Sequence, residues 1–391
     1  MPYPRVMAAH ALRLDGIGST IFAEMSALAV RTGSVNLGQG FPDEDGPAEV
    51  IEAAVAALRG GRNQYPPGHG TPELIGAVID HQQRHYGLTL ERDQVVATTG
   101  ATEAIAGALL GLVDPGDEVV VLEPYYDSYV AMIQMAGAVR RPVTLRAPDF
   151  RLDLAEMAAA ITPRTRLILL NTPHNPTGTV LTRTELEGVA ALAVEHDLVV
   201  VTDEVYEHLT FGVEHLPLST LPGMAERTLT ISSAGKSFSV TGWKIGWASG
   251  PAHLVAAVEG AKNWLSYASG APLQPAVALA LNDHDEFHRA LAAELGRKRD
   301  LLCDGLAELG IGVHRPDGTY FATADVSALG HADGRAFCLA LPERAGVVAI
   351  PSQVFYDDRE AGRHLVRFAF CKRTEVITEA LERLASADLG A

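Results

Sequence analysis

The sequence predicts a largely parallel α/β sheet covered on both faces by helices, followed by a smaller α+β unit. Three observations carry this. From residue 94 onward, short β-branched runs alternate with helical patterns. Those runs are almost continuously apolar, as in strands buried on both faces of a parallel sheet. After Pro272 the strands thin out and long helical periodicity takes over.

Met1 to Pro47 reads as loop-rich; its most specific piece is Gly38-Gln39-Gly40-Phe41-Pro42-Asp43. The glycines there permit close backbone approach to another group. Pro47 opens a helix over Ala48–Arg59, and Thr71 caps one from Pro72 to about Tyr86. Between them, Asn63 to Gly70 forms a rigid turn that presents Tyr65. Strands are predicted at Gln94–Thr98, Glu118–Leu122, Arg166–Leu170, Leu198–Thr202, Thr228–Ile231 and Ile245–Ala248. Helices fill Ala101–Val113, Thr184–Glu195 and Ala252–Ser266. A helical stretch from Leu281 to Leu309 leads to Thr319–Phe321, Val347–Ile350 and a run from His364 to Phe370. That last run alternates like a half-buried strand, with Arg367 between apolar neighbours. The expected division is a large domain over 48–272 and a small domain formed by 1–47 with 273–391.

Composition excludes several classes of function. The chain has 391 residues, 47% apolar and 20% charged, and a net charge of -17. This argues against nucleic acid or an anionic membrane as partner. No apolar run reaches bilayer length, and the first fourteen residues carry no signal-peptide pattern. Cys303, Cys338 and Cys371 are odd in number and lack metal-ligand spacing. They read as buried thiols of a reducing, cytoplasmic compartment, and no metal is expected.

Parallel sheets bind ligands at the carboxyl ends of their strands. Just past those ends stand Gly100-Ala101-Thr102, Glu123 to Tyr126, Asn171 to Asn175, Asp203 to Tyr206 and Ser232 to Lys236. The last stretch continues to Lys244. The chain has five lysines against 26 arginines, so two lysines eight residues apart suggest that ammonium chemistry is wanted there. Lysine can lose its proton and act as nucleophile or base; arginine cannot. Gly235-Lys236-Ser237 imitates the end of a P-loop, but position 230 is threonine and lies in a predicted strand. No G-x-G-x-x-G follows a predicted strand, which ranks a nicotinamide dehydrogenase last.

Asn171-Thr172-Pro173-His174-Asn175-Pro176-Thr177-Gly178, Asp203-Glu204-Val205-Tyr206, Ser233-Ala234-Gly235-Lys236 and Arg367 together resemble the class I/II aminotransferases. The resemblance covers nearly the whole chain in order. It implies fold type I of the pyridoxal-phosphate-dependent transferases, the aspartate-aminotransferase fold. Phe22-Ala23-Glu24-Met25 and the Gly38–Asp43 stretch are similar to the branch that holds N-succinyldiaminopimelate and kynurenine/glutamine aminotransferases.

The resemblance assigns roles. Lys236 would condense with the aldehyde of pyridoxal 5'-phosphate and later move a proton. Asp203 would pair with the ring nitrogen, and Tyr206 with Asn175 would flank the ring oxygen. Tyr126 would stack on the ring. Gly100, Ala101, Thr102, Ser233 and Lys244 would hold the phosphate, and Tyr65 would reach the phosphate of a neighbouring subunit. Arg367, with Asn175, Phe22 and Gly40, would receive the substrate. The implied substrates are an L-amino acid and a 2-oxo acid, the implied state a homodimer with shared sites. Thr102 and Ser269 stand where kynurenine-type relatives carry aromatics, which implies a more open or polar pocket. Within that branch the closer resemblance is to the N-succinyldiaminopimelate aminotransferases, with 2-oxoglutarate as the implied acceptor. Three alternatives stay open: a kynurenine/glutamine/methionine-type aminotransferase, a lyase or biosynthetic enzyme using the same cofactor, and a regulatory protein on the same scaffold.

Overall fold

The computed structural model describes residues 11–18, 20–268 and 270–390; Ser269 lies outside them. Seven strands form the large sheet: β1 (Val95–Thr99), β2 (Glu118–Glu123), β3 (Val139–Thr144), β4 (Thr165–Asn171), β5 (Val199–Asp203), β6 (Thr228–Ser233) and β7 (Ile245–Ser249). Their spatial order is β1-β7-β6-β5-β4-β2-β3. Only β7 runs against its neighbours. Helices lie on both faces, as the apolar strands require. Leu109, Val119, Leu167 and Val255 share one core, while Val120, Ile168, Leu186 and Val200 share the other.

β3 is the strand that apolar runs do not announce. Its sequence Val-Arg-Arg-Pro-Val-Thr is polar and contains Pro142. It is an edge strand, where one row of backbone groups needs no partner and proline is tolerated.

A second sheet has the order β10-β11-β9-β8, from β8 (Gly312–His314), β9 (Phe321–Asp325), β10 (Ile350–Pro351) and β11 (Leu365–Ala369). Val35–Asn36 pairs in parallel with Val347–Val348, which ties the N-terminal segment to this unit. The helix Ile21–Thr32 is capped by Thr20, whose Oγ1 accepts from the Ala23 N–H at 3.2 Å. It buries Met25 and Ala29 in the same core as Phe337, Val366 and Phe368.

Two sequence expectations change here. β11 is not half-buried: all five residues are inside, because it is a central strand with the apolar core on one face and a cavity on the other. The stretch from Leu281 is two helices, Gln274–Asp283 and Asp285–Glu308, broken at His284. The first packs Ala276, Val277 and Leu281 among Val50, Leu74 and Val78 of the large unit. We therefore place the division between the two units near residue 284 instead of 272. Among the described residues, no helix is long and apolar enough to cross a membrane.

Candidate active site

Strand direction assembles the site. Asn171, Asp203 and Ser233 end β4, β5 and β6 at one edge of the sheet, with Asn171 in register beside Asp203. β1 ends there too, and its chain turns at Gly100 (φ +69°) directly into the helix Gly100–Leu112. β7 runs the other way, so it begins at this edge and brings Lys244 with it. Gly246 lets β7 pass under the helix start: a Cβ there would lie 2.7 Å from the Gly100 carbonyl carbon. The same approach puts the Lys244 side chain over Gly100.

The edge closes over a cavity of about 240 Å³. Gly100, Ala101, Thr102, Ser233 and Lys244 line one end. There the first amides of the helix, a hydroxyl and an ammonium form an anion cradle. Tyr126, Asn175, Asp203, Tyr206 and Lys236 line the middle, and Phe22, Gly40 and Arg367 the other end.

Asp203 is 4% exposed. The Tyr129 hydroxyl donates to its Oδ2 at 2.6 Å. Burial nevertheless pushes its pKa up to about 6, because the hydrogen bond and Lys236 offset only part of the lost hydration. Lys236 points into the cavity, its Nζ 5.9 Å from the Tyr206 ring and 5.7 Å from the Tyr320 ring. Desolvation pulls its pKa down to about 8. A carboxylate and an amine are thus both held near the point where protons change hands at neutral pH.

Arg367 is 2% exposed. Its Nη1 donates to Asn175 Oδ1 at 3.1 Å and its Nη2 to the Gly38 carbonyl at 3.0 Å. Rings of Phe321, Phe22 and Phe355 surround it at 4.0, 4.9 and 5.6 Å. Its Nε is buried with no hydrogen-bond partner among the described residues. A buried guanidinium without a carboxylate costs several kcal/mol, so it fits an anion that comes from outside the chain.

Tyr65 is the one predicted site residue outside the cavity. It is 81% exposed and meets Tyr267 edge-on, with ring centroids 5.7 Å apart. Conversely, Tyr129, Asn171, Thr241 and Phe321 line the cavity without having been singled out. Asn171 locks the edge: its Nδ2 donates to the Asp203 carbonyl at 2.8 Å, and its Oδ1 accepts from the Asn175 N–H at 2.7 Å. Tyr320 packs perpendicular to Tyr206 at 5.2 Å and donates to the Gly40 carbonyl at 2.7 Å. Asn171 and Thr241 lay within motif stretches, whereas nothing local marked Tyr129 or Tyr320.

The donor set fits pyridoxal phosphate. Around one cavity it offers an amine, a buried carboxylate, aromatic rings and a helix start with a hydroxyl and an ammonium that can cradle an anion.

The family model "Aminotransferase class I and II" matches residues 32–384. A Mycobacterium tuberculosis protein named "Probable N-succinyldiaminopimelate aminotransferase DapC" is 54% identical over 386 residues, covering 95% of this chain and 97% of the relative. The solved M. tuberculosis N-succinyldiaminopimelate aminotransferase superposes with a TM-score of 0.94, covering 96% of this chain and 99% of its own. Escherichia coli methionine aminotransferase is 38% identical, covering 95% and 97% of the two chains. A Thermus thermophilus aspartate aminotransferase mutant superposes at 0.90 with 34% identity, covering 97% and 99%.

Two outcomes follow for the cofactor-free chain. Only the neutral Lys236 amine is nucleophilic, so its rate of condensation with pyridoxal phosphate should rise with pH and level off above about 8. Stopped-flow absorbance checks this; a rise continuing toward pH 10 contradicts it. The folded-state pKa of Asp203 lies above its unfolded value. The folded chain therefore holds the extra proton between about pH 4 and 6, and stability falls across that window as pH rises. The full cost above pH 6 is on the order of 2–3 kcal/mol. Asp203→Asn should therefore raise the melting temperature of the cofactor-free chain at pH 8 and barely change it at pH 4. Calorimetry at both pH values measures it.

Proposed function

The chain belongs to the class I and II aminotransferases, and from that premise we propose that it transfers the α-amino group of N-succinyl-diaminopimelate to 2-oxoglutarate, releasing glutamate and the corresponding 2-oxo acid. It is a pyridoxal-phosphate-dependent aminotransferase. The choice of donor is supported by the 54% identity to the M. tuberculosis protein. The methionine and kynurenine enzymes among its relatives stand at 35–40%.

The observation that carries the reaction is the buried Arg367 guanidinium facing the same cavity as Lys236. Arg367 would grip the α-carboxylate and Asn175 would steady its Nη1, so the bound amino acid presents its α-hydrogen toward Lys236 Nζ. The pyridoxal ring, once bound, supplies the electron-accepting group that stabilises negative charge at the α-carbon. Lys236 then takes the α-proton at Nζ and returns it on the other side of the exchange. A pKa near 8 suits both directions. Asp203, held at Oδ2 by the Tyr129 hydroxyl, would keep the ring nitrogen protonated. Tyr206 and Asn175 would flank the ring oxygen. The amides of Ala101 and Thr102, with Ser233 and Lys244, would hold the phosphate. Phe22, Phe321 and Phe355 exclude water from the Arg367 contact, which strengthens it.

A homodimer with shared sites accounts for Tyr65. Lys262 Nζ donates to the Gly68 and Tyr267 carbonyls at 2.6 and 2.8 Å, pinning the turn after Tyr65 to the segment that exposes Trp264 (91%) and Leu265 (52%). A second copy seated on this patch would cover it and receive Tyr65. Three free, buried cysteines suit a cytoplasmic setting.

The test is a panel of glutamate, kynurenine, methionine and N-succinyl-diaminopimelate as donors with 2-oxoglutarate. N-succinyl-diaminopimelate should show the highest kcat/KM, and a higher value for methionine or kynurenine overturns the choice of donor. Lys236→Ala should lose at least about 10³-fold in turnover with every donor while staying folded. Arg367→Lys replaces a planar fork by a point charge. It should lower kcat/KM by about 10- to 100-fold for donor and acceptor alike, read by steady-state kinetics with both varied.

A further inference from the structure

Behind the loop that carries Asp203 and Tyr206, four histidines gather outside the active site. His81 and His85 stand one turn apart on the helix Pro72–Tyr86, His208 follows β5, and His288 lies on the helix Asp285–Glu308. One ring nitrogen from each of His81, His85 and His208 falls within 4.8 Å of the others. His81 Nε2 and His208 Nε2 are 2.7 Å apart. Two N–H groups cannot face each other at that distance, so at least one of these nitrogens presents a bare lone pair.

The surroundings set the ring orientations. His85 Nε2 lies 3.2 Å from Asp285 Oδ1, and in the neutral ring a proton on Nε2 facing that carboxylate leaves the lone pair on Nδ1. Arg84 holds the same carboxylate with two bonds of 2.9 and 3.0 Å. Asp285 is therefore fixed as the group that orients His85, the arrangement that commonly supports a metal-bound imidazole. Gln82 packs against His81. Its Oε1 is buried with no hydrogen-bond partner among the described residues, while its Nε2 approaches His81 Nδ1 at 3.5 Å. His288 Nε2 lies 3.7 Å from Asp285 Oδ1, beyond hydrogen-bond reach, and its ring centroid is 4.0 Å from that of His208.

We propose that this cluster binds a divalent transition-metal ion of the zinc type, with His81, His85 and His208 as ligands and Asp285 orienting His85. Three imidazoles and no thiolate suit zinc, cobalt, nickel or copper over calcium or magnesium. Zinc–nitrogen bonds of about 2.0–2.1 Å in a tetrahedron hold ligand nitrogens about 3.3 Å apart, so His81 and His208 need to separate by roughly 0.6 Å. A cavity of about 690 Å³, lined by His85, His208, Asp285 and His288, opens the fourth position to solvent. The ion would tie the helix Pro72–Tyr86 to the loop after β5 and take no part in amino transfer. The sequence expectation of no metal rested on the three cysteines, whereas these ligands are histidines drawn from distant parts of the chain.

The experiment uses the untagged, cofactor-loaded full chain after chelator treatment and gel filtration. Zinc sulfate or cobalt chloride is added, and bound metal is counted by mass spectrometry after a second filtration. Cobalt should bind at about one equivalent per chain with the visible absorption of a tetrahedral nitrogen site, and zinc should displace it and raise the melting temperature by a few degrees. His85→Gln and His208→Gln should each weaken zinc binding at least about tenfold, and Asp285→Asn by about 10- to 100-fold. His85→Gln should leave metal-free transamination unchanged. The wild-type titration stands whether or not a variant folds. Retention of less than about a tenth of an equivalent, or uptake undiminished in both histidine variants, overturns the proposal.

Discussion

The structure depends on burying three ionisable groups around one cavity without letting them neutralise one another. Asp203, Lys236 and Arg367 all sit where hydration is largely lost, and each pKa has moved toward its neutral form for that reason. An isolated folding problem would favour an ion pair or an apolar replacement at these positions. The chain instead keeps each group on a separate element: the end of β5, the turn after β6 and the middle of β11. Charges held apart in this way are most stable when ligands of complementary charge lie between them. The cavity is thus an electrostatic template, positive at the helix start and at Arg367, negative beneath its centre.

The fold makes that separation possible through direction. Parallel strands deliver their carboxyl ends to one edge, which gathers Asn171, Asp203 and Ser233. The single reversed strand, β7, delivers its beginning to the same edge and so adds Lys244 to the helix start at Gly100. The second unit contributes what the sheet cannot, a rigid arginine on a strand packed on both faces. Asn175 holds that arginine from across the boundary between the units, and the Gly38 carbonyl holds it from within its own unit. The proposed grip on the α-carboxylate and the proposed reactivity at Lys236 would therefore come from different units, which pack together through Val205, Tyr206 and Leu209 as well as through these polar contacts.

Much of this was legible in the sequence because the chemistry restricts residue type. An amine, an acid and a phenol past strand ends, with a guanidinium inside a central strand, are difficult to exchange, and their motifs kept their order. Strand positions were legible where burial is complete, as in β2, and not where an edge relaxes the demand, as in β3. Tyr129 was illegible for another reason. It acts three residues along a helix from Tyr126, on an acid 74 residues away, and no local pattern marks a tyrosine as an acid's partner. Arg367 was legible by motif, but its burial was not, because alternation along β11 mistook a cavity face for solvent. Tyr65 is a residue whose proposed role lies in another copy of the chain, so one chain displays only its exposure.

The loop after β5 shows why the active site and the histidine cluster belong to one construction. Asp203 and Tyr206 turn toward the cavity, while Glu204, Glu207 and His208 turn the other way. Glu207 accepts from Ser232 at 2.5 Å and from Tyr86 at 2.6 Å, and Glu204 meets His215 at 2.8 Å. Ser232 adjoins Ser233 at the anion cradle, and Tyr86 ends the helix that carries His81 and His85. A buried polar network of this kind rigidifies a backbone when its members are satisfied and loosens it when one is lost. Glu207, bonded to both Ser232 and Tyr86, thus supports the placement of Asp203 and Tyr206 from behind the loop, beside the groups within the cavity. An ion at the histidines would act on the same backbone from the rear, through geometry alone.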